Sequence, residues 1–229
     1  VVITVGIIGC FIIKEPSLEP TKEGYFKNVI HGFMPSTVKG NLPLYFYLIA
    51  FIIFNISIQI FMPYLIIYYE ISLGMADYVF VMAPAIILAS VATALWGRVY
   101  DKKGFRLTGI LAMIWLCVGF VVLYLCRGKA LVFVGSLLMM CGYLSGMAVF
   151  GAVIRDNIPE NKAGMFQGLR IVGQVLIPGV IGPAIGAAVL ANADTILNND
   201  GTTSFLPNEN IFLAAAVAAV LAVSAGTGL

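Results

Sequence analysis

The chain has 229 residues, 61% of them hydrophobic and 10% charged, where soluble domains average roughly 45–50% and 25%. That composition excludes a water-soluble globule, and at about 20 apolar residues per crossing the length leaves room for five or six membrane spans. A net charge of +2, from 13 Lys+Arg against 11 Asp+Glu, is too balanced for a nucleic-acid binder, and the single His31 excludes a histidine-based metal site or catalytic triad.

In chain order, residues 1–13 are apolar but too short to span and carry no basic leader, so they read as the end of a severed transmembrane helix. Residues 14–42 are rich in Lys, Glu, Pro and Ser and read as a cytoplasmic linker between two bundles. Apolar runs at 43–67, 78–96, 107–126, 130–154 and 169–191 each match the thickness of the hydrocarbon core, and 211–229 is an Ala/Val-rich helix that reads as cut short. None of these runs alternates apolar with polar, which excludes a barrel. Helices satisfy their own backbone in lipid, so 43–229 is expected to be an all-α transmembrane bundle. Cys10, Cys117, Cys126 and Cys141 lie in or beside the apolar runs without a C-x-x-C pair and read as buried thiols.

All Lys and Arg except Arg127 and Lys129 fall in alternate loops or at their edges: Lys14 to Lys39, Arg98 to Arg106, and Arg155 to Arg170. The positive-inside rule places those loops in the cytoplasm. Glu70, Asp77, Asp194, Asp200 and Glu209 then belong to the outer connections, of which 192–210 has the composition of an exposed loop. Tyr64, Tyr68 and Tyr69 at one face and Trp96 and Tyr100 at the other are expected in interfacial belts.

The loop after the second full span reads Gly97-Arg98-Val-Tyr-Asp101-Lys102-Lys-Gly104-Phe-Arg106. Gly97 lets helix ends approach, Asp101 accepts hydrogen bonds from a helix N-terminus, Gly104 permits a left-handed turn, and the cations pair with Asp101 or with lipid phosphates. A tight, charged hairpin is the expected result.

That spacing, G-x-x-x-D-K-x-G-x-R, together with the linker and the six spans, resembles the major facilitator superfamily. The resemblance implies a twelve-helix fold of which this chain is the C-terminal half, a six-helix half-bundle, with 1–13 as the end of the sixth helix. Residues 158–168 resemble the family's loop before the eleventh helix, with Ala163 where a second basic residue is usual. The resemblance also makes Asp101 a gate latch, whose partner lies in the N-terminal bundle.

Polar residues at membrane depth are costly and face either a cavity or another helix. Asn55 and Gln59 lie one turn apart in the first full span. Gln167, Arg170, Gln174 and Pro178 follow the i, i+3, i+7, i+11 spacing of one helical face in the fifth, and Arg170 either joins that stripe or snorkels to the headgroups. Ser136 and Tyr143 share a face of the fourth span, where core packing with a satisfied hydroxyl is the plainer reading. Gly142/Gly146, Gly164/Gly168 and Gly182/Gly186 read as close helix contacts. Asn55, Gln59, Tyr143, Gln167, Arg170 and Gln174 are the candidate lining of a substrate cavity.

The expected function is secondary transport of a small solute across the plasma membrane by alternating access, with uptake of a sugar-like or other small polar solute favoured over drug or metabolite efflux. A receptor or scaffold on the same fold is the alternative of another class. The expected partners are the lipid bilayer and the N-terminal bundle; because no Asp, Glu or His stands at mid-membrane depth in these spans, either a coupling proton or sodium ion is bound in that bundle or transport is uncoupled. No intramembrane nucleophile pair or metal-spaced ligand set is present, so neither an enzyme nor a cofactor is expected.

Overall fold

The computed structural model describes residues 32, 34–159, 163–197 and 203–227. The expected severed helix 1–13 and most of the linker 14–42 lie outside them. A short helix α1 (Pro35–Gly40) ends the linker, and α2 follows at Leu42–Phe61, interrupted where Pro63 removes a backbone donor. The chain tightens there into a 3₁₀ turn (Met62–Tyr64), then continues through Leu65–Ile67 into a π turn (Tyr68–Ser72).

The next helical stretch, Val79–Leu125, is folded back on itself at Gly104, which has φ 74° and ψ −177°. This divides it into α3 (79–103) and α4 (105–125). Residues 96 and 115 of one straight helix would stand about 28 Å apart, yet the rings of Trp96 and Trp115 are centred 4.5 Å apart. Helix α5 is Lys129–Asp156. Helix α6 (163–189) comprises Ala163–Ile171, a π turn Val172–Leu176 and Ile177–Val189. A small antiparallel hairpin, β1 (Thr195–Leu197) with β2 (Thr203–Phe205), pairs Ile196 with Ser204 inside the outer loop. Helix α7 (Asn210–Thr227) completes the bundle.

The all-α membrane fold is as expected, with five full-length helical arms, α2 to α6, and the shorter apolar α7. The boundaries differ at the charged loop. Residues 97–103 are helical rather than loop, so the reversal turns on the single residue Gly104. Residues 163–168 are helical too, which lengthens the fifth span at its cytoplasmic end.

Helix α2 packs against α6 on one side and α7 on another, while α3 and α4 pack against α5. In lipid this association rests on dispersion between closely fitted surfaces rather than on expulsion of water. Phe61 meets Phe120 at 5.1 Å and Phe212 at 5.9 Å, and Phe150 meets Phe51 at 5.6 Å and Phe54 at 5.4 Å. Each such pair contributes about 0.5–1.5 kcal/mol beyond its burial. Glycine allows the closest approaches: a Cβ at Gly142 would stand 2.4 Å from the backbone N of Leu116, and one at Gly119 would stand 2.4 Å from that of Met139. Gly146, Gly182 and Gly186 also sit at helix contacts, as their spacing led one to expect, whereas Gly164 has no neighbour within 4 Å.

Candidate functional site

The charged hairpin is built around Gly104. Its φ is positive, as the left-handed turn expected of this glycine requires, and φ and ψ together fall in a region essentially restricted to glycine. Helix α4 restarts immediately, and the Thr108 hydroxyl donates to the Gly104 carbonyl at 2.7 Å. Trp96 Nε1 donates to the Thr108 carbonyl at 3.3 Å, which holds the two arms together. Tyr100 donates to Asp156 Oδ2 at 2.8 Å and ties the hairpin to the end of α5. Spacing gave no hint of that bond, because the partners are 56 residues apart.

The hairpin's remaining polar side chains turn outward. Arg98, Asp101, Lys102 and Arg106 are exposed, and the ion pairs among the described residues lie elsewhere: Arg127–Glu209 at 2.8 Å, Lys129–Asp77 at 2.9 Å and Arg155–Asp156 at 3.6 Å. Among the described residues no helix N-terminus donates to Asp101. Gly97 likewise admits no close neighbour here, since a Cβ on it would meet nothing within 4 Å.

The membrane-depth residues are only partly brought together. Asn55 is 6% exposed and its amide donates to the Phe51 carbonyl one turn back, at 2.8 Å. An asparagine inside a helix has that local partner within reach, so its amide N–H is spent on its own helix rather than on a cavity. Gln59 is half-buried where α2 touches α6, and a Cβ at Gly182 would stand 2.4 Å from Gln59 Cβ. One turn on, the Tyr64 hydroxyl donates to the Pro183 carbonyl at 3.3 Å. Tyr143 is half-buried against the hydrophobic core.

On α6 the expected stripe is broken. Pro178 has no N–H for the Gln174 carbonyl, and its ring needs room in the preceding turn, which the π turn Val172–Leu176 supplies. The extra residue in that turn moves everything after it around the axis by about 100°. Gln167 is accordingly exposed, Arg170 and Gln174 are half-buried, and Pro178 is buried. Arg170 crosses to α5, where a Cβ on Gly151 would stand 3.0 Å from its Nη2.

Two cavities in the bundle lie away from these six residues. One is bounded by Phe105, Arg106, Met113 and Phe150 near the hairpin. The other, of about 160 Å³, opens at the outer face among Tyr68, Ser72, Arg127, Asp194 and Glu209. Arg127 also donates to the Tyr68 hydroxyl at 2.9 Å, and the Tyr69 and Ser136 hydroxyls are 2.8 Å apart. Tyr68 and Tyr69, expected in an interfacial belt, are instead buried: the Tyr69 hydroxyl meets the buried Ser136, and the Tyr68 ring packs edge-on against Phe212 beneath the exposed Arg127. Ser136 has the satisfied hydroxyl expected of core packing.

A family model described as Major Facilitator Superfamily matches residues 1–183. The chain belongs to the major facilitator superfamily. No curated protein and no solved structure matches it. As a superfamily member it is an integral, multi-pass membrane protein of a transporter family whose members act on small molecules in a lipid bilayer and are generally non-enzymatic.

Proposed function

We propose that this chain forms the second bundle of a plasma-membrane transporter that moves a small polar, sugar-like solute by alternating access, with 14–42 as the link to the first bundle. The observation that carries the reading is the pairing of α2 with α6. Both helices are interrupted, at 62–72 and at 172–176, and both hold polar side chains beside the interruption: Gln59 on α2, Arg170 and Gln174 on α6. Interrupted helices at repeat interfaces are where secondary transporters place their binding sites. Amides at that depth supply the donors and acceptors a hydroxylated solute needs. A coupling proton or sodium ion is assigned to the first bundle.

In this reading Asp101, with Arg98, Lys102 and Arg106, is the part of the gate that meets the first bundle. Their exposure and lack of partners within their own bundle support it.

The test is flux of radiolabelled sugars and polyols into proteoliposomes containing the full-length protein. Gln59→Ala keeps the Cβ that touches Gly182 and removes only the amide, so flux should fall about tenfold or more with the protein still folded. Unchanged flux would overturn the placement of the site, and flux of no solute by the unaltered protein would overturn transport in favour of a scaffold.

A further inference from the structure

Arg170 has a charge that the described residues leave uncompensated. It stands seven residues inside α6, about 10 Å along the axis from the first helical residue, and is half-buried. Its Nε is buried with no hydrogen-bond partner. None of the ion pairs among the described residues involves it. The side chain has not simply extended to the headgroups, because its Nη2 lies against α5 at Gly151, in space that any larger residue would fill. Gln167 and Gln174 stand one turn to either side on the same helix.

A guanidinium that is partly withdrawn from water and unpaired is expensive, and a bidentate oxyanion is the ligand that matches its fork. We infer that the transported solute bears an oxyanion, a carboxylate or a phosphate, and that Arg170 between α5 and α6 receives it. The inference rests on the transport reading above and narrows its substrate class from polar to anionic. The guanidinium supplies two parallel N–H donors, and the half-buried Gln174 amide on the same helix suits a hydroxyl of a sugar acid or sugar phosphate.

The experiment uses the full-length protein in detergent at constant ionic strength. Gluconate, glucose 6-phosphate and inorganic phosphate are compared with glucose and sorbitol for their effect on the thermal unfolding midpoint. Labelling of Arg170 by phenylglyoxal is followed in parallel by mass spectrometry. At least one oxyanion should raise the midpoint and protect Arg170 from labelling, while the neutral compounds do neither.

Arg170→Gln should abolish the effect, and Arg170→Lys, which keeps the charge but loses the fork, should weaken the apparent affinity about tenfold or more. Gly151→Ala should weaken it with the midpoint of the unliganded protein unchanged, which keeps the test valid should Arg170→Gln fail to fold. The inference is overturned if no oxyanion protects, if neutral compounds protect equally, or if Gly151→Ala and Arg170→Lys bind as the unaltered protein does. Arg170 that resists labelling before any solute is added would reveal a carboxylate of the protein itself in that place, and would overturn it too. Protection without flux of any solute would overturn transport alone, whereas flux of neutral sugars undiminished by Arg170→Gln would overturn this inference alone.

Discussion

Replacing the two glycines of the charged hairpin by alanine separates two physical roles that the sequence motif cannot tell apart. Gly104 has φ 74° and ψ −177°, a conformation in which an L-residue is strained by about 1–3 kcal/mol. A Cβ there meets nothing within 4 Å, so strain is the whole of the expected effect. Gly97 lies inside α3, and a Cβ on it also meets nothing within 4 Å. Its replacement removes the entropic cost of glycine in a helix and should stabilise by about 0.5–1 kcal/mol. Gly104→Ala and Gly97→Ala should therefore fall on opposite sides of the unaltered protein, about 1.5–4 kcal/mol apart. Denaturant unfolding of the full-length protein in detergent, followed by circular dichroism, reads the difference directly. Gly104→Ala as stable as the unaltered protein would refute the assigned backbone conformation. Gly97→Ala destabilised by more than about 1 kcal/mol would show that a close neighbour from outside the described residues reaches Gly97.

Gly142→Ala and Gly119→Ala drive a methyl to 2.4 Å from backbone atoms of Leu116 and Met139; each should cost about 1–3 kcal/mol or more, read as a lower thermal midpoint, because α4 and α5 must separate. Tyr69→Phe removes the 2.8 Å contact to Ser136, yet Ser136 still donates to the Val132 carbonyl at 2.6 Å. Its cost should stay below about 1.5 kcal/mol in denaturant unfolding, and a larger loss would mean that the tyrosine hydroxyl holds more than Ser136. The hydrogen bond from Lys129 holds the exposed Asp77 carboxyl below the usual carboxylate range. A depressed folded-state pKa contributes stability above the unfolded value, near about 3.9, and that stability is lost as pH falls through the folded value. The difference in midpoint between the unaltered protein and Asp77→Asn should therefore be present at neutral pH and close in acid; a difference that persists in acid would refute the assignment.

How much was legible depended on whether the deciding interaction was local. Gly104 could be read as the turning point because the requirement for positive φ belongs to one residue. The extent of the hairpin could not, because the charged side chains of Arg98 to Lys103 suggest a loop although their backbone remains helical. Asn55 was placed in a cavity on polarity alone, yet the carbonyl that satisfies its amide N–H is four residues back on its own chain. The stripe on α6 failed for a reason that was present in the sequence: Pro178 cannot serve the Gln174 carbonyl, and the turn that absorbs this defect changes the register. Pairings such as Arg127 with Glu209 or Tyr69 with Ser136 were out of reach, because the helices that bring them together are chosen by packing across the whole bundle.

The distribution of satisfied and unsatisfied charge also bears on how such a bundle moves. At the outer face Arg127 binds both Glu209 and Tyr68, and Lys129 binds Asp77, so the ends of α2, α4, α5 and α7 are tied to one another and their loops. On the face assigned to the cytoplasm, Tyr100 and Arg155 reach Asp156, whereas Arg98, Asp101, Lys102 and Arg106 form no ion pair among the described residues, and Arg170 stands a short way inside. In the alternating-access reading proposed above, a body whose outer end is tied internally would move as one piece. Partners that are exchanged between states must then be drawn from groups the body leaves unengaged, since breaking an internal pair would add its cost to every cycle. The hairpin and Arg170 are such groups. Substitutions at Asp101 or Arg170 should therefore change which state predominates or what binds, while substitutions at Arg127 or Asp77 should change how well the bundle holds together.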